Sequence, residues 1–416
     1  MSRTIFLNAN LLDGVAPARR AAIVVENDRI ASVADTPDVL PAPRRDDTVF
    51  DLAGRTLMPG LIGGHLHLTY HKLDVFDLMG SDMKYPATYI AVAAAKNAET
   101  VLKAGFTAGI GAGGTYNMDV VLKQLIADGL AVGPRLVACG KDFCATGHPV
   151  DYKPEQWLTR QDALGQVCDG PDEFRKAVRQ EAKRGVEVIK LFVEGGHGLP
   201  KSGSRMSYEE IATVCETAHL SDIRVRAHVQ SREMIKTCLR AGVDIIDHAD
   251  QMNDEIIEEF VRRGVFVLPS LYHLKVMVGV MNTREELDEW YGYARGSLAK
   301  AVKAGVKLVI GDDFGTLQGP HGDNGKELAV YTDDIGIAPL EVIKWATANG
   351  AEMMQRKDIG KIEAGRLADL LVVDGDPLQD MKVLGDRSRL KIVMQGGQFI
   401  TCDLPVAQTV TRASNA

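Results

Sequence analysis

Ser231-Arg-Glu-Met-Ile-Lys-Thr-Cys-Leu-Arg-Ala-Gly-Val-Asp-Ile-Ile-Asp-His248 holds one complete structural unit. Residues 231–241 carry apolar side chains at helical spacing. Ala241-Gly242 then stops the helix, because glycine adopts the left-handed conformation that a C-terminal cap needs. Val243-Asp-Ile-Ile-Asp-His248 follows as a short apolar strand that ends in a histidine. The same stop recurs at Ala104-Gly105, Arg184-Gly185, Arg263-Gly264 and Ala304-Gly305, each just before an apolar run. The strands expected are 57–62, 106–110, 135–139, 186–192, 223–229, 243–247, 265–269 and 306–311. Helix-period segments separate them: Ala87–Lys103, Pro171–Arg184, Ser207–Ala218, Ser231–Ala241, Asp254–Arg263, Arg284–Ala304 and Pro339–Met354. Eight β-then-α units predict an α/β fold, a (β/α)8 TIM barrel. A doubly wound open sheet is disfavoured, since no Gly-rich phosphate fingerprint follows the first strand.

Both ends of the chain read as short strands. Thr4–Asn10, Ala22–Glu26, Arg29–Ala34 and Thr48–Asp51 precede the barrel; 368–374, 390–394 and 398–400 follow it. Neither end buries a core alone, so the two are expected to meet as one small β-sandwich. The division expected is 1–57 plus 362–416 for the sandwich and 58–361 for the barrel, with 403–416 as a loose tail.

The 416 residues are 45% apolar and 25% charged, an ordinary globular balance for a barrel plus a smaller domain. A net charge of −8 argues against nucleic-acid binding, which needs a basic face. No apolar run approaches the ~20 residues of a membrane span, and the N-terminus lacks a signal-peptide pattern. The six cysteines form no Cys-x-x-Cys pair, which suits reduced, buried thiols in a cytoplasmic protein.

In a barrel the C-terminal ends of the strands share one mouth, where the chemistry sits. Strand one runs through Met58-Pro-Gly-Leu-Ile-Gly-Gly into His65-Leu-His67. Residues two apart on a strand point the same way, so His65 and His67 aim two imidazoles at one point. Strands five and six end in His228 and His248, and strand eight in Asp312-Asp313. Strand four, Val186-Glu-Val-Ile-Lys190-Leu-Phe-Val, carries a lysine inside an apolar run. Singly, each histidine is more often structural than a ligand, and Asp312-Asp313 could cap a helix. Lys190 is harder to dismiss, because burying its charge without a partner is costly. A buried lysine of lowered pKa can react with CO2 to give an anionic carbamate that bridges two metal ions. The other route open to it is Schiff-base chemistry, as in a barrel aldolase.

This ordered set, His-x-His, Lys, His, His, Asp, resembles the amidohydrolase superfamily of metal-dependent hydrolases. The resemblance covers nearly the whole chain. It includes Pro59-Gly-Leu-Ile, Gly311-Asp-Asp313-Phe-Gly315, the helix from Pro339 and the return segment Gly360–Pro377. It implies two divalent metal ions, most simply Zn2+, with His65, His67 and Asp313 on one, His228 and His248 on the other, and N6-carboxylysine at Lys190 between them. Asp313 would also serve as the proton acceptor and donor. His148 near the mouth would stabilise the oxyanion. A homo-oligomer is expected from the family. Two departures are noted: Gly63, where the family usually has Asp, and Asp312, in the place of Thr or Ser.

Val-Ile-Lys190-Leu-Phe-Val-Glu-Gly195-Gly196, Thr146-Gly-His148 and Pro320-His321-Gly322 look like the imidazolonepropionase-related, prolidase-like branch, which includes ochratoxin-type amide hydrolases. The substrate implied is a small-molecule amide: an N-acyl amino acid, a dipeptide or a bulky aromatic amide. Gln230 stands where that branch often has Tyr or His, which weighs against a plain dipeptidase specificity. Candidate substrate contacts are His148, Gln230, Tyr272, His273 and His321, with His197 weaker and His71 and His219 read as structural. Tyr70–Tyr89 and Leu271–Tyr293 could form an apolar lid. The rivals are carbamate, ester or phosphotriester hydrolysis at the same centre, and a metal-free scaffold. All six ligand positions being filled disfavours the scaffold.

Overall fold

In the computed structural model, the described residues are 3–36, 44, 46–72, 74, 84–151, 164–196 and 205–407. Parallel strands run around a barrel. Leu61–Leu66 pairs with Phe106–Gly111, which pairs with Arg135–Val137. The chain continues directly into Cys139–Cys144, which pairs with Val188–Phe192. Parallel pairing then passes through Arg224–Val229, Ile245–His248, Phe266–Leu268 and Lys307–Leu308. The Gly64 N–H donates to Ile310 C=O at 2.8 Å, and a Leu66–Phe314 bridge links last strand to first.

The expected first strand, 57–62, divides between two sheets. Thr56–Pro59 lies in the outer sheet, antiparallel to Leu370–Val373. Only from Leu61 does the chain enter the barrel. The switch is at Gly60. Its N–H goes to Asp369 C=O in the outer sheet at 2.9 Å, and the next, Leu61 N–H, goes to Gly105 C=O in the barrel at 2.9 Å. A Cβ at Gly60 would lie 2.1 Å from Thr107 Oγ1, so no larger residue fits the crossover.

The helices Ala87–Lys103, Asp254–Arg263 and Arg284–Ala304 have the expected bounds. Thr283 and Glu286 form a capping box on the last of these. Gly105, Gly185, Gly242, Gly264 and Gly305 all have positive φ, as their role as helix stops requires. The segment 339–354 is two helices, Pro339–Trp345 and Ala348–Met353, rather than one. The break at Thr347 frees the Ala346 carbonyl to accept from Ile62 N–H at 2.8 Å, which ties the helix to strand one. A short strand not expected from the sequence, Gly165–Val167, adds to the edge of Cys139–Cys144.

Strands from both chain ends form one eight-stranded sheet among the described residues. Its core, with Phe6, Ile23, Phe50, Leu57, Val372 and Ile392, is separate from the barrel's. Five cysteines are buried, Cys402 is exposed, and none is disulfide-bonded. Among the described residues, no helix is long and apolar enough to cross a membrane.

Candidate metal centre

The strand alternation brings His65 and His67 together at the mouth, with Nε2 atoms 3.1 Å apart. Asp313 Oδ1 faces both, 3.4 Å from His65 Nε2 and 3.1 Å from His67 Nε2. Two imidazole nitrogens and a carboxylate oxygen thus converge on one small volume, a donor set that could hold a metal ion. Across from them, His248 Nε2 lies 2.9 Å from His228 Nδ1. The His65 and His248 rings are 5.5 Å apart, so the two groups are neighbours.

Each converging nitrogen is a lone pair only if the other ring nitrogen carries the proton, and for His67 and His228 a backbone carbonyl favours that tautomer. His67 Nδ1 is 3.1 Å from Gly113 C=O, and His228 Nε2 is 3.1 Å from Gly196 C=O. His65 Nδ1 is 3.6 Å from Asp247 Oδ1. Burial lowers the His65 pKa well below its usual value, which keeps the ring neutral and able to ligate. Burial would raise the Asp313 carboxyl, but His65, His273 and His67 around it hold it well below the usual carboxylate range.

Lys190 is fully buried one layer deeper. Its Nζ is 2.5 Å from Asp247 Oδ2. The sequence suggested a neutral lysine amid apolar neighbours; the structure gives it a carboxylate partner. Arg226 shares that carboxylate, with Nη2 2.5 Å from Oδ1 and Nε 3.1 Å from Oδ2. Neither Arg226 nor Asp247 figured in the sequence reading. The available signal was a charge on an apolar strand: Arg226 sits two residues before His228 and so on the same face.

Among the mouth residues with left-handed backbone that are not glycine are His248 (φ 77°), Ala249 (φ 54°), Ser270 (φ 54°) and Asp313 (φ 55°). Such conformations cost energy and cluster at functional sites. Aromatic walls flank the donors. Tyr70 stacks on His67 at 4.4 Å, and Phe192 on His228 at 4.6 Å.

His148 is buried beside Phe192. Its Nδ1 accepts from Val150 N–H at 3.1 Å, so its neutral ring carries the proton on Nε2, which is buried near the Glu194 backbone. Burial lowers its pKa and favours the neutral form. Gln230 donates from Nε2 to Gly195 C=O at 3.1 Å. Glu194, missed in the sequence, accepts from Gln230 N–H and from Ser231 N–H and Oγ, and so pins the loop after strand four. His273 is buried near Asp313. Tyr272 packs 5.3 Å from Phe314. His321 Nε2 is 3.1 Å from Tyr70 C=O, so this ring sits behind the Tyr70 wall. Asp312 turns away from the donor set and accepts from Asn324 Nδ2 at 2.7 Å and Phe314 N–H at 3.3 Å. At Gly63, a Cβ would come within 2.8 Å of Leu66 Cδ2, the end of a side chain that would have to shift to admit the aspartate common in the family. His71 pairs with Asn97, and His219 with Asp244. His197 and positions 73 and 75–83 of the expected lid lie outside the described residues.

The amidohydrolase family model matches residues 56–400. Ochratoxinase of Aspergillus niger is 27% identical over 413 residues, covering 92% of this chain and 83% of that protein. Imidazolonepropionase of Cutibacterium acnes is 22% identical over 417 residues, covering 94% and 93%. A crystal structure of a Xaa-Pro dipeptidase with bound methionine in its active site superposes with a TM-score of 0.81 at 26% identity. That match covers 95% of this chain and 99% of the dipeptidase. Barrel, mouth and matched length agree: the chain belongs to the amidohydrolase family and is a hydrolase acting on carbon–nitrogen bonds.

Proposed function

We propose that this enzyme hydrolyses the amide bond of an N-acyl amino acid, a dipeptide or a bulky aromatic amide at a centre that holds two divalent ions. The observation that carries the proposal is the facing of two donor groups: His65, His67 and Asp313 on one side, His228 and His248 on the other. Nitrogen and carboxylate donors fit zinc. Lys190, as N6-carboxylysine, would join the two groups. When bound, the ions would supply a nucleophile at neutral pH and polarise the substrate carbonyl.

The chain's own residues do the rest. Asp313 Oδ1 lies at the His65 and His67 nitrogens, so it can take the proton that water loses and return it to the leaving nitrogen. His148 offers Nε2–H to a substrate oxygen, either the developing oxyanion or a carboxylate. Tyr70 and Phe192 suit an apolar acyl or aromatic group. Gln230, Tyr272, His273 and His321 complete the candidate contacts. The names of the relatives, an ochratoxinase and a Xaa-Pro dipeptidase, support an amide that carries a carboxylate.

The test is elemental analysis of protein purified without chelator, for the natural chain and for Lys190→Ala, followed by a panel of dipeptides, N-acyl amino acids, aromatic amides, carbamates and esters. About two zinc ions per chain, falling sharply in the variant, with amides turned over fastest, is the expected result. Faster turnover of carbamates or esters would overturn the substrate class. A metal-free chain inactive on the whole panel would overturn the enzyme centre.

A further inference from the structure

Beneath the donor set lies a sealed ionic group. Lys190, Arg226 and Asp247 have no exposed surface, and His65 has 1%. Asp247 is its hub, with Lys190 Nζ at 2.5 Å, Arg226 Nη2 at 2.5 Å and His65 Nδ1 at 3.6 Å. Arg226 is fixed from the other side. Its Nη1 donates to Gly64 C=O at 3.0 Å and to Gly111 C=O at 2.9 Å. The guanidinium therefore ties strands one, two, five and six together across the barrel and holds Asp247 in one orientation.

The backbone explains how Asp247 reaches this place. Consecutive strand residues should face opposite ways. The left-handed turn at His248 breaks that alternation, so Asp247 and His248 both face the interior. Buried ions of this kind seldom add stability over an apolar core. A carboxylate held by arginine and aimed at a histidine is better explained by what it does to the histidine.

We propose that Asp247 is a positioning residue for His65. Anchored by Arg226, it faces His65 Nδ1 across 3.6 Å, longer than a hydrogen bond, favours the tautomer that leaves Nε2 bare, and keeps that nitrogen turned toward His67 and Asp313. Lys190 is its second partner. When Lys190 turns from Asp247 toward the donor groups, the freed oxygens serve His65 and Arg226 alone, and the 3.6 Å contact shortens to a full hydrogen bond. This inference rests on the metal centre proposed above.

The experiment uses zinc alone as probe, on the full chain and on Asp247→Asn. Zinc affinity is measured by competition with a chromophoric chelator, and the fold by circular dichroism. The expected result is a folded variant in which one of two zinc ions is bound roughly 10–100-fold more weakly while the other is retained. Equal affinity for both ions in a folded variant would overturn the inference and leave the metal centre intact. Nitrogen-15 spectra of the metal-free natural chain, with His65 assigned by its loss in His65→Gln, decide the point without an Asp247 variant. A His65 ring protonated on Nδ1 supports the inference, and one protonated on Nε2 overturns it. If the natural chain takes up no zinc, the proposed function fails, and the tautomer still decides the role of Asp247.

Discussion

The two ends of the barrel use the same backbone conformation for opposite purposes. At the helix-to-strand end, Gly105, Gly185, Gly242, Gly264 and Gly305 have φ between 68° and 98°. Glycine takes that conformation at no steric cost, and nothing there requires a side chain. At the mouth, His248, Ser270 and Asp313 have φ between 54° and 77° and keep their side chains. Two of those three belong to the donor set. At these five helix stops glycine removes the strain, whereas at His248 and Asp313 it is kept together with a side chain of the donor set.

The sharpest way to break this contrast is to blunt a mouth side chain while keeping its shape. Asp313→Asn retains the size and the backbone demand but cannot take up a proton. Its kcat/KM on the amide that the panel identifies should fall roughly 10²–10⁴-fold, the usual cost of losing a proton-transfer group. Circular dichroism should be unchanged. A fall of less than ~10-fold would mean that Asp313 only fills a turn.

How much of this was readable beforehand follows from what a sequence pattern can carry. His65 and His67 were legible because strand alternation alone decides that they share a face. The five glycine stops were legible because each lies between a helical period and an apolar run. The crossover at Gly60 was marked only by Pro59-Gly60, and because both sheets want apolar residues on either side, that break does not say which sheet each side joins. The break at Thr347 was hidden for a similar reason. Residues 339–354 keep a helical period, and the break shows only in tertiary contacts such as the hydrogen bond from Ile62 N–H to Ala346 C=O. Asp247 and Arg226 could be seen as charges on apolar strands, but their pairing belongs to the folded barrel. The tie from Gln230 to the Gly195 carbonyl depends on a loop whose path is not local.

The next test concerns how mouth strain is held. Ser270 precedes the short helix Leu271–Val276, and Glu327 clamps that helix's start. Glu327 accepts from Leu271 N–H at 2.9 Å, from Tyr272 N–H at 2.7 Å and from the Tyr331 hydroxyl. Glu327→Ala strands these buried donors and should cost roughly 2–4 kcal/mol in denaturant unfolding. A pH dependence accompanies it. Burial raises the Glu327 pKa from 4.5 to about 8, so the folded chain binds more protons than the unfolded chain between those values. Its contribution is full below the ordinary carboxylate range and is lost as pH rises toward 8. Unfolding free energy should therefore fall from pH 5 to pH 8, and Glu327→Gln should flatten that slope. An unchanged slope would show that Glu327 is ionised throughout.

A smaller effect belongs to the glycine end. A Cβ at Gly305 meets nothing within 4 Å, so Gly305→Ala adds no clash and isolates the backbone cost of φ 83°. That cost should be about 1–2 kcal/mol. Activity per folded molecule should stay the same, since the residue is at the far end of the barrel from the donor set. A cost below ~0.3 kcal/mol would mean that the glycine stops are not what holds the helix ends in register.

The smallest effect comes from one of the exceptions to the glycine rule. Gln355 follows the helix Ala348–Met353 in the same left-handed conformation, with φ 57°, but it is exposed and far from the mouth. If strain persists only where a side chain is needed, this one is unexplained by function and should be removable. Gln355→Gly relieves the Cβ clash but loosens the unfolded chain, so the net gain should be only about 0.5 kcal/mol. Denaturant unfolding of matched preparations resolves a difference of that size through the midpoint. A stabilised variant with unchanged activity would confine functional strain to the mouth. A destabilised one would show that the Gln355 side chain serves the helix end, and that glycine is one of two solutions there.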